Sequence, residues 1–292
     1  MGRFRLRGRR RRSHEQRADR VPLKAVVPNL VTSFAACAGI TSISLASEGR
    51  FSQALAALLV AAVCDGMDGR IARLLKASSK LGAELDSLAD FVNFGVAPAM
   101  FMYFWMTGGP DHALADGSVV ARPLVRIVLG CSLFYAMCDC FRLARFNTML
   151  EEEPLPYWRH FFTGVPAPGG CWMVLTPAIL SIALDARGKA PALAHFLQNP
   201  WTGIFMLLFV GALMASRLPT ISLKAIHLRG KSQVRAFMTV ALLVIGLLVC
   251  DLWLTLGVLG LGYMLTVPVT CLVFLKARSR YERGLTFEGN KV

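Results

Sequence analysis

Four aspartates stand between Asp65 and Asp90 in the stretch DGMDGRIARLLKASSKLGAELDSLAD, with apolar sequence on both sides. Asp65 and Asp68 are three residues apart and Asp86 and Asp90 four apart, so on helices each pair shares a face. Gly69 lies beside the first pair, and Ala72 follows four residues after Asp68. Ionised carboxylates in lipid are costly, and four that converge in a medium of low dielectric cannot all stay charged without a cation. Ligands that are all oxygen suit hard divalent ions such as Mg²⁺, Mn²⁺ or Ca²⁺. The spacing therefore predicts a metal site, and an ion pathway through a transporter would use the same carboxylates.

The elements that must position these groups are read from hydropathy. Of 292 residues 55% are hydrophobic and only 17% charged, with a mean hydropathy of +0.52, far too apolar for a soluble chain. Apolar stretches near the ~20 residues that cross a bilayer fall at 27–47, 53–74, 84–106, 123–146, 165–184, 201–217, 236–254 and 257–276. They are continuous runs without strand alternation, so the fold class expected is an all-α integral membrane protein of about eight transmembrane helices. Lys and Arg concentrate in 1–26, 70–84, 142–160, 217–235 and 276–292, which places both termini in the cytoplasm. Arg50, Arg122, Arg126, Arg187 and Lys189 are the exceptions, on the opposite side or at the edge of a span.

The expected organisation is a basic cytoplasmic arm over 1–26, one transmembrane domain over 27–276 and a cytoplasmic tail over 277–292. The arm, MGRFRLRGRRRR at its start, beside a span suits anionic headgroups rather than nucleic acid. No small-residue cleavage site follows the first apolar run, and Leu6 stands where an N-myristoylation motif wants Ser or Thr. The stretch TGGPDHALADGSVVAR at 107–122 is expected as an exterior loop. All eight cysteines fall within expected spans without a CxxC, which argues packing rather than zinc or redox chemistry.

This topology sets the depth of the carboxylates. The second span ends near Arg73, so Asp65 lies ~12 Å inside that end at ~1.5 Å per residue. The third starts near Gly82, which puts Asp86 and Asp90 in its first two turns. Both pairs then sit just below the cytoplasmic headgroups, where a lipid enters sideways and a soluble reactant enters from the cytosol.

The order Asp65, Asp68-Gly69, Ala72-Arg73, Gly82, Asp86, Asp90 resembles the signature of the CDP-alcohol phosphotransferase family at every defined position. Further pieces, PNLVT at 28–32, SLADFVNFGVAPA at 87–99, RLARFN at 142–147 and GVPAP at 164–168, are similar to its phosphatidylserine synthase branch. The resemblance implies a six-helix core, here with two further helices, in a bacterial inner membrane with its site on the cytoplasmic side. It implies that Asp65, Asp68, Asp86 and Asp90 hold two divalent ions, Mg²⁺ or Mn²⁺, and that Asp90 is also the general base. The expected reaction moves the phosphatidyl group of CDP-diacylglycerol to L-serine and releases CMP.

Expected CDP contacts are Asn29, Thr32, Asp65, Gly69, Ala72, Arg73 and Gly82. Asn29 and Thr32 also suit a plain helix start, and Gly69, Ala72 and Gly82 suit simple helix packing. Yet small residues equally leave a face open to a nucleotide, and Arg73 can offer a forked donor to phosphate. Arg142, Arg145 and Asn147 are the candidates for the acceptor carboxylate or a lipid phosphate, and Asp139, three residues before Arg142, is expected to pair with it. Sibling reactions would use glycerol 3-phosphate, inositol phosphate or choline. Phosphorylated acceptors want a denser basic pocket, and choline wants an aromatic cage. An intramembrane prenyltransferase lacks the Gly69 and Ala72-Arg73 pattern. The spans after 201 carry no readable motif, and the expected partners are membrane lipids and a second copy of the chain in a homodimer.

Overall fold

The computed structural model describes residues 23–77, 79–108, 121–149, 161–188, 190–216, 218–221 and 231–282. Most of the basic arm, the exterior loop over 109–120 and the end of the tail lie outside the described residues.

Helices α1 (Leu23–Ser47) and α2 (Phe51–Leu74) form an antiparallel hairpin. Its turn is closed by Gly49 at φ 75°, with Gly49 N–H donating to Ala46 O at 3.0 Å and Arg50 N–H to Leu45 O at 3.0 Å. That is a Schellman stop, and glycine takes the left-handed angle without a Cβ penalty. The Ala- and Leu-rich run over 54–62 favours helix in α2. At the other end of α2, Lys76 takes φ 50° in the same bonding pattern, with Ala77 N–H reaching Ala72 O at 3.0 Å. The sharp stop turns the chain back within a few residues into α3 (Lys80–Asp90), whose N-cap Ser79 accepts from Gly82 N–H at 3.0 Å.

The third expected span is not one regular helix. After Asp90 the chain widens into a π-helical segment, Phe91–Val96, and continues as α4 (Ala97–Thr107). Pro98 has no N–H for Phe94 O, its α-helical partner. The phenol of the fully buried Tyr135 supplies the missing donor at 3.0 Å. Tyr135 belongs to α5 (Ala121–Met149), so the irregular turn is stitched to the neighbouring long helix.

Helix α6 (Ala167–Asp185) is largely buried along its length, and it carries Met173, Val174 and Ala178 into the core beside Phe94, Phe101 and Met102. The short α7 (Pro191–Gln198) and α8 (Pro200–Ala215) follow, then α9 (Lys231–Cys250) and α10 (Leu252–Glu282), the last running past the expected boundary at 276. Strand β1 (Phe161–Thr163) pairs antiparallel with β2 (Pro219–Ile221), Phe161 opposite Ile221, so the start of α6 is tied to the end of α8.

Among the described residues four helical stretches are long and apolar enough to cross a membrane: Val26–Ser47, Pro123–Thr148, Ala167–Asp185 and Leu252–Lys276. The pair α7–α8, bent by 57°, counts as a fifth if it forms one broken span and not a re-entrant loop. Every one of the eight expected stretches contains helix, but α2 carries Asp65, Asp68, Arg70 and Arg73, and the third stretch is broken by its π turn.

Candidate active site

Asp65 and Asp68 come from the last turns of α2, Asp86 and Asp90 from α3. One oxygen from each of Asp65, Asp68 and Asp86 lies within 4.8 Å of the others. The Asp90 side chain is within hydrogen-bond reach of Asp65, so the fourth carboxylate borders the same cluster. Asp68, only 3% exposed, is the most deeply held. Thr32 Oγ1 donates to its Oδ2 at 2.6 Å, and Gly69 N–H donates to its Oδ1.

Among the described residues no lysine or arginine forms an ion pair with Asp65, Asp68 or Asp86. Converging carboxylates without a basic partner, offering oxygen alone, fit a hard divalent ion. The cluster could hold such an ion through Asp65, Asp68 and Asp86.

Beside it opens a cavity of about 160 Å³, lined by Asn29 and Thr32 of α1, by Asp68, Gly69 and Ala72 of α2, and by Ser79, Gly82 and Asp86 around the start of α3. Gly69 is not a packing glycine: a Cβ built there would meet nothing within 4 Å. Gly82 is different, since its Cβ would stand 3.0 Å from Asn29 Oδ1 and 3.1 Å from Ser79 Oγ. One glycine leaves the helix face open and the other lets α1 approach α3. The amino end of α3 borders this cavity, and unpaired N–H groups of a first helical turn favour an anion. Arg73, one turn past Gly69, points back along α2 and donates from Nε to Gly69 O at 3.1 Å.

The other basic candidates have separate surroundings. Arg145 donates to three carbonyls at the carboxy end of α8: from Nη1 to Ala215 O at 2.9 Å, and from Nη2 to Met214 O at 3.2 Å and Ser216 O at 2.9 Å. Gly164, at φ 80°, lies against the same carbonyls, where a Cβ would come within 2.8 Å of Met214 O. The RLARFN and GVPAP segments thus meet at a helix end. Asn147 donates to Ser87 Oγ at 3.2 Å and joins α5 to α3. Arg142 turns inward, with Nη1 3.9 Å from Asp139 Oδ1 and Asp90 close enough for its charge to be felt.

Three residues here were not singled out from sequence. Ser79 had a readable signal, an extended Ser ahead of a helix start. Ser87 and Tyr135 had none, because their partners lie 60 and 41 residues away.

A sequence model of the CDP-alcohol phosphatidyltransferase family matches residues 25–199. A protein of Mycobacterium leprae named CDP-diacylglycerol--serine O-phosphatidyltransferase is 36% identical over 246 residues, covering 83% of this chain and 73% of its own length. A protein of the same name from Mycobacterium bovis is 32% identical over 248 residues, covering 83% and 77%. Another, from Helicobacter pylori, is 33% identical over 193 residues, covering 65% and 70%.

Proposed function

This chain belongs to the CDP-alcohol phosphatidyltransferase family, and on that premise we propose that it transfers the phosphatidyl group of CDP-diacylglycerol to the hydroxyl of L-serine, giving phosphatidylserine and CMP. The observation that carries this reading is the juxtaposition of an unpaired carboxylate cluster with an open cavity floored by Gly69 and bordered by a helix amino end. A nucleotide diphosphate needs both: an anion site, and room beside the helix that bears the ligands. The names of relatives from three organisms supply the acceptor.

Asp65, Asp68 and Asp86 would hold divalent metal, Mg²⁺ or Mn²⁺, with Asp90 at the edge of a second ion position. Bound metal would neutralise the diphosphate and the charge that builds on its leaving oxygen. Thr32 fixes the rotamer of Asp68 by its short hydrogen bond. Gly69 and Ala72 leave open the face on which CMP lies, Gly82 lets Asn29 of α1 come to the edge of that face, Asn29 and the amino end of α3 supply polar contacts, and Arg73 stands ready to swing from the Gly69 carbonyl toward phosphate. Asp90 takes the proton of the serine hydroxyl. The serine oxygen then bonds to the phosphorus that carries diacylglycerol, the bond from that phosphorus to the bridging oxygen breaks, and CMP departs with the bond's electrons.

The orientation we propose has eight spans, both termini and the carboxylate site on the cytoplasmic side of a bacterial inner membrane, one domain over 27–276, and a homodimer as the assembly. Incubating the purified chain in detergent with labelled serine, CDP-diacylglycerol and Mg²⁺ or Mn²⁺ should give phosphatidylserine and CMP in equal amounts, and chelation should stop both. Product from glycerol 3-phosphate, inositol phosphate or choline instead would move the chain to a sibling reaction. Cation flux with no CMP release would make it a transporter.

A further inference from the structure

Asp139 is a charge the proposed reaction has not used, and its setting is unusual. It is fully buried, on α5, and among the described residues neither carboxylate oxygen has a hydrogen-bond partner. Its ion-pair partner Arg142, whose side chain is 13% exposed, stands 3.9 Å away, and Arg142 Nη1 is likewise buried without a hydrogen bond. The room is made by the π-helical turn across from it. A Cβ at Gly95 would come within 2.8 Å of Asp139 Oδ2 and 3.0 Å of Phe91 Cδ2, so only glycine seats the carboxylate there. Cys171 and Tyr135 also border Asp139, and Tyr135 gives its one proton to Phe94 O.

A buried charge pair that satisfies neither partner's hydrogen-bonding capacity is costly, and a third group that donates to the carboxylate and accepts from the guanidinium relieves that cost. The pair also lies close enough to Asp90, the proposed base, for their charges to be felt there. A molecule with an ammonium and a carboxylate on one carbon, and a hydroxyl one carbon further on, complements all three.

We propose that Asp139 and Arg142 together form the seat of a zwitterionic α-amino acid acceptor, Asp139 taking the ammonium and Arg142 the carboxylate, so that the hydroxyl is presented to Asp90. The inference rests on the phosphatidyl transfer proposed above and names what selects its acceptor. Asp139 would repel a sugar phosphate. Choline has no N–H for Asp139 and no anion for Arg142, and ethanolamine satisfies only half of the seat.

The test compares three acceptors, L-serine, 3-hydroxypropanoate (serine without its amine) and ethanolamine (serine without its carboxylate), on the full chain and on Asp139→Asn, Arg142→Lys and Gly95→Ala. Binding of CDP-diacylglycerol is measured alongside as the check on folding. Losing one charge-assisted contact should raise the serine KM about tenfold or more in Asp139→Asn, with 3-hydroxypropanoate changed by less than about twofold. Arg142→Lys should penalise serine and 3-hydroxypropanoate and spare ethanolamine, because lysine keeps the charge but loses the planar fork. Gly95→Ala, which crowds Asp139 without removing it, should follow Asp139→Asn and decides the matter if that variant no longer binds CDP-diacylglycerol. An unchanged serine KM, equal losses for serine and 3-hydroxypropanoate in Asp139→Asn, or equal losses for serine and ethanolamine in Arg142→Lys would reduce the pair to a structural bridge and overturn the proposal while phosphatidyl transfer stands. A parent chain that makes no phosphatidylserine overturns the transfer itself.

Discussion

Thr32 shows how a single side chain acts on the site through another. Its hydroxyl is bonded to Asp68 Oδ2 at 2.6 Å and is nearly buried, so it restrains a proposed ligand rather than merely opening a helix. Thr32→Val keeps the shape and removes the donor. Loss of a group that orients a ligand costs ~10–100-fold in metal affinity. A titration of Mg²⁺ or Mn²⁺ against CDP-diacylglycerol binding should show that shift, and an unchanged curve would mean that Asp68 is held by Gly69 N–H and packing alone. Asp90→Asn asks the complementary question, because it preserves size and removes the base. CDP-diacylglycerol should still bind while transfer to serine falls by ~10²-fold or more, the scale of general-base loss. If transfer persisted, the proton would have to go elsewhere. The four aspartates were legible in sequence because carboxylates in apolar surroundings are conspicuous. The bond from Thr32 to Asp68 was not, since it exists only once α1 and α2 pack.

At the scale of elements, the turn that follows Asp90 is the feature with most consequence for the site. A regular α-helix through 91–96 would rotate everything beyond it relative to Asp86 and Asp90; the π segment resets that phase and brings Asn93 toward α1 and Gly95 toward α5. Gly39 on α1 accepts the approach, since a Cβ there would run into Asn93 Oδ1. Pro98 removes a helix donor, and Tyr135 replaces it. Tyr135→Phe should therefore leave Phe94 O unsatisfied in the core and cost ~1–3 kcal/mol. Thermal unfolding in detergent measures the loss, and an unaltered midpoint would show that the carbonyl finds another donor. The apolar run over 84–106 was visible in sequence, where it reads as one span. The shape of the interruption was not, because it depends on a tyrosine 41 residues away. RLARFN reads similarly: two arginines three apart suggested one shared role, yet Arg145 closes the carbonyl end of α8 while Arg142 turns to Asp139. The turn of helix between them sends one toward a neighbouring helix end and the other into the interior.

For the whole molecule, hydropathy located the helices better than it located the spans. The helices that bear the proposed chemistry are not among the long, uninterrupted apolar ones, for the reason that makes them functional: α2 carries four charged residues in its last turns, and α3 through α4 is bent out of one regular helix. Their proposed membrane placement rests on their neighbours instead. Helix α1 crosses by length and hydropathy, α2 returns antiparallel beside it, and ~36 Å of helix at ~1.5 Å per residue reaches back across the bilayer. In the proposed orientation the tight turn Glu48–Arg50 faces one side and the carboxy end of α2 the other, the concentration of Lys and Arg over 70–84 favouring the cytoplasm for the latter. In a variant lacking the eight native cysteines yet still active, Glu48→Cys and Lys80→Cys provide the measurement. Both positions are exposed. A membrane-impermeant maleimide should label Glu48→Cys in right-side-out vesicles and Lys80→Cys only in inverted ones. Labelling of Lys80→Cys from outside would put the carboxylates beneath the wrong leaflet, out of reach of a cytosolic acceptor, and the transfer would have to draw its serine from the opposite compartment.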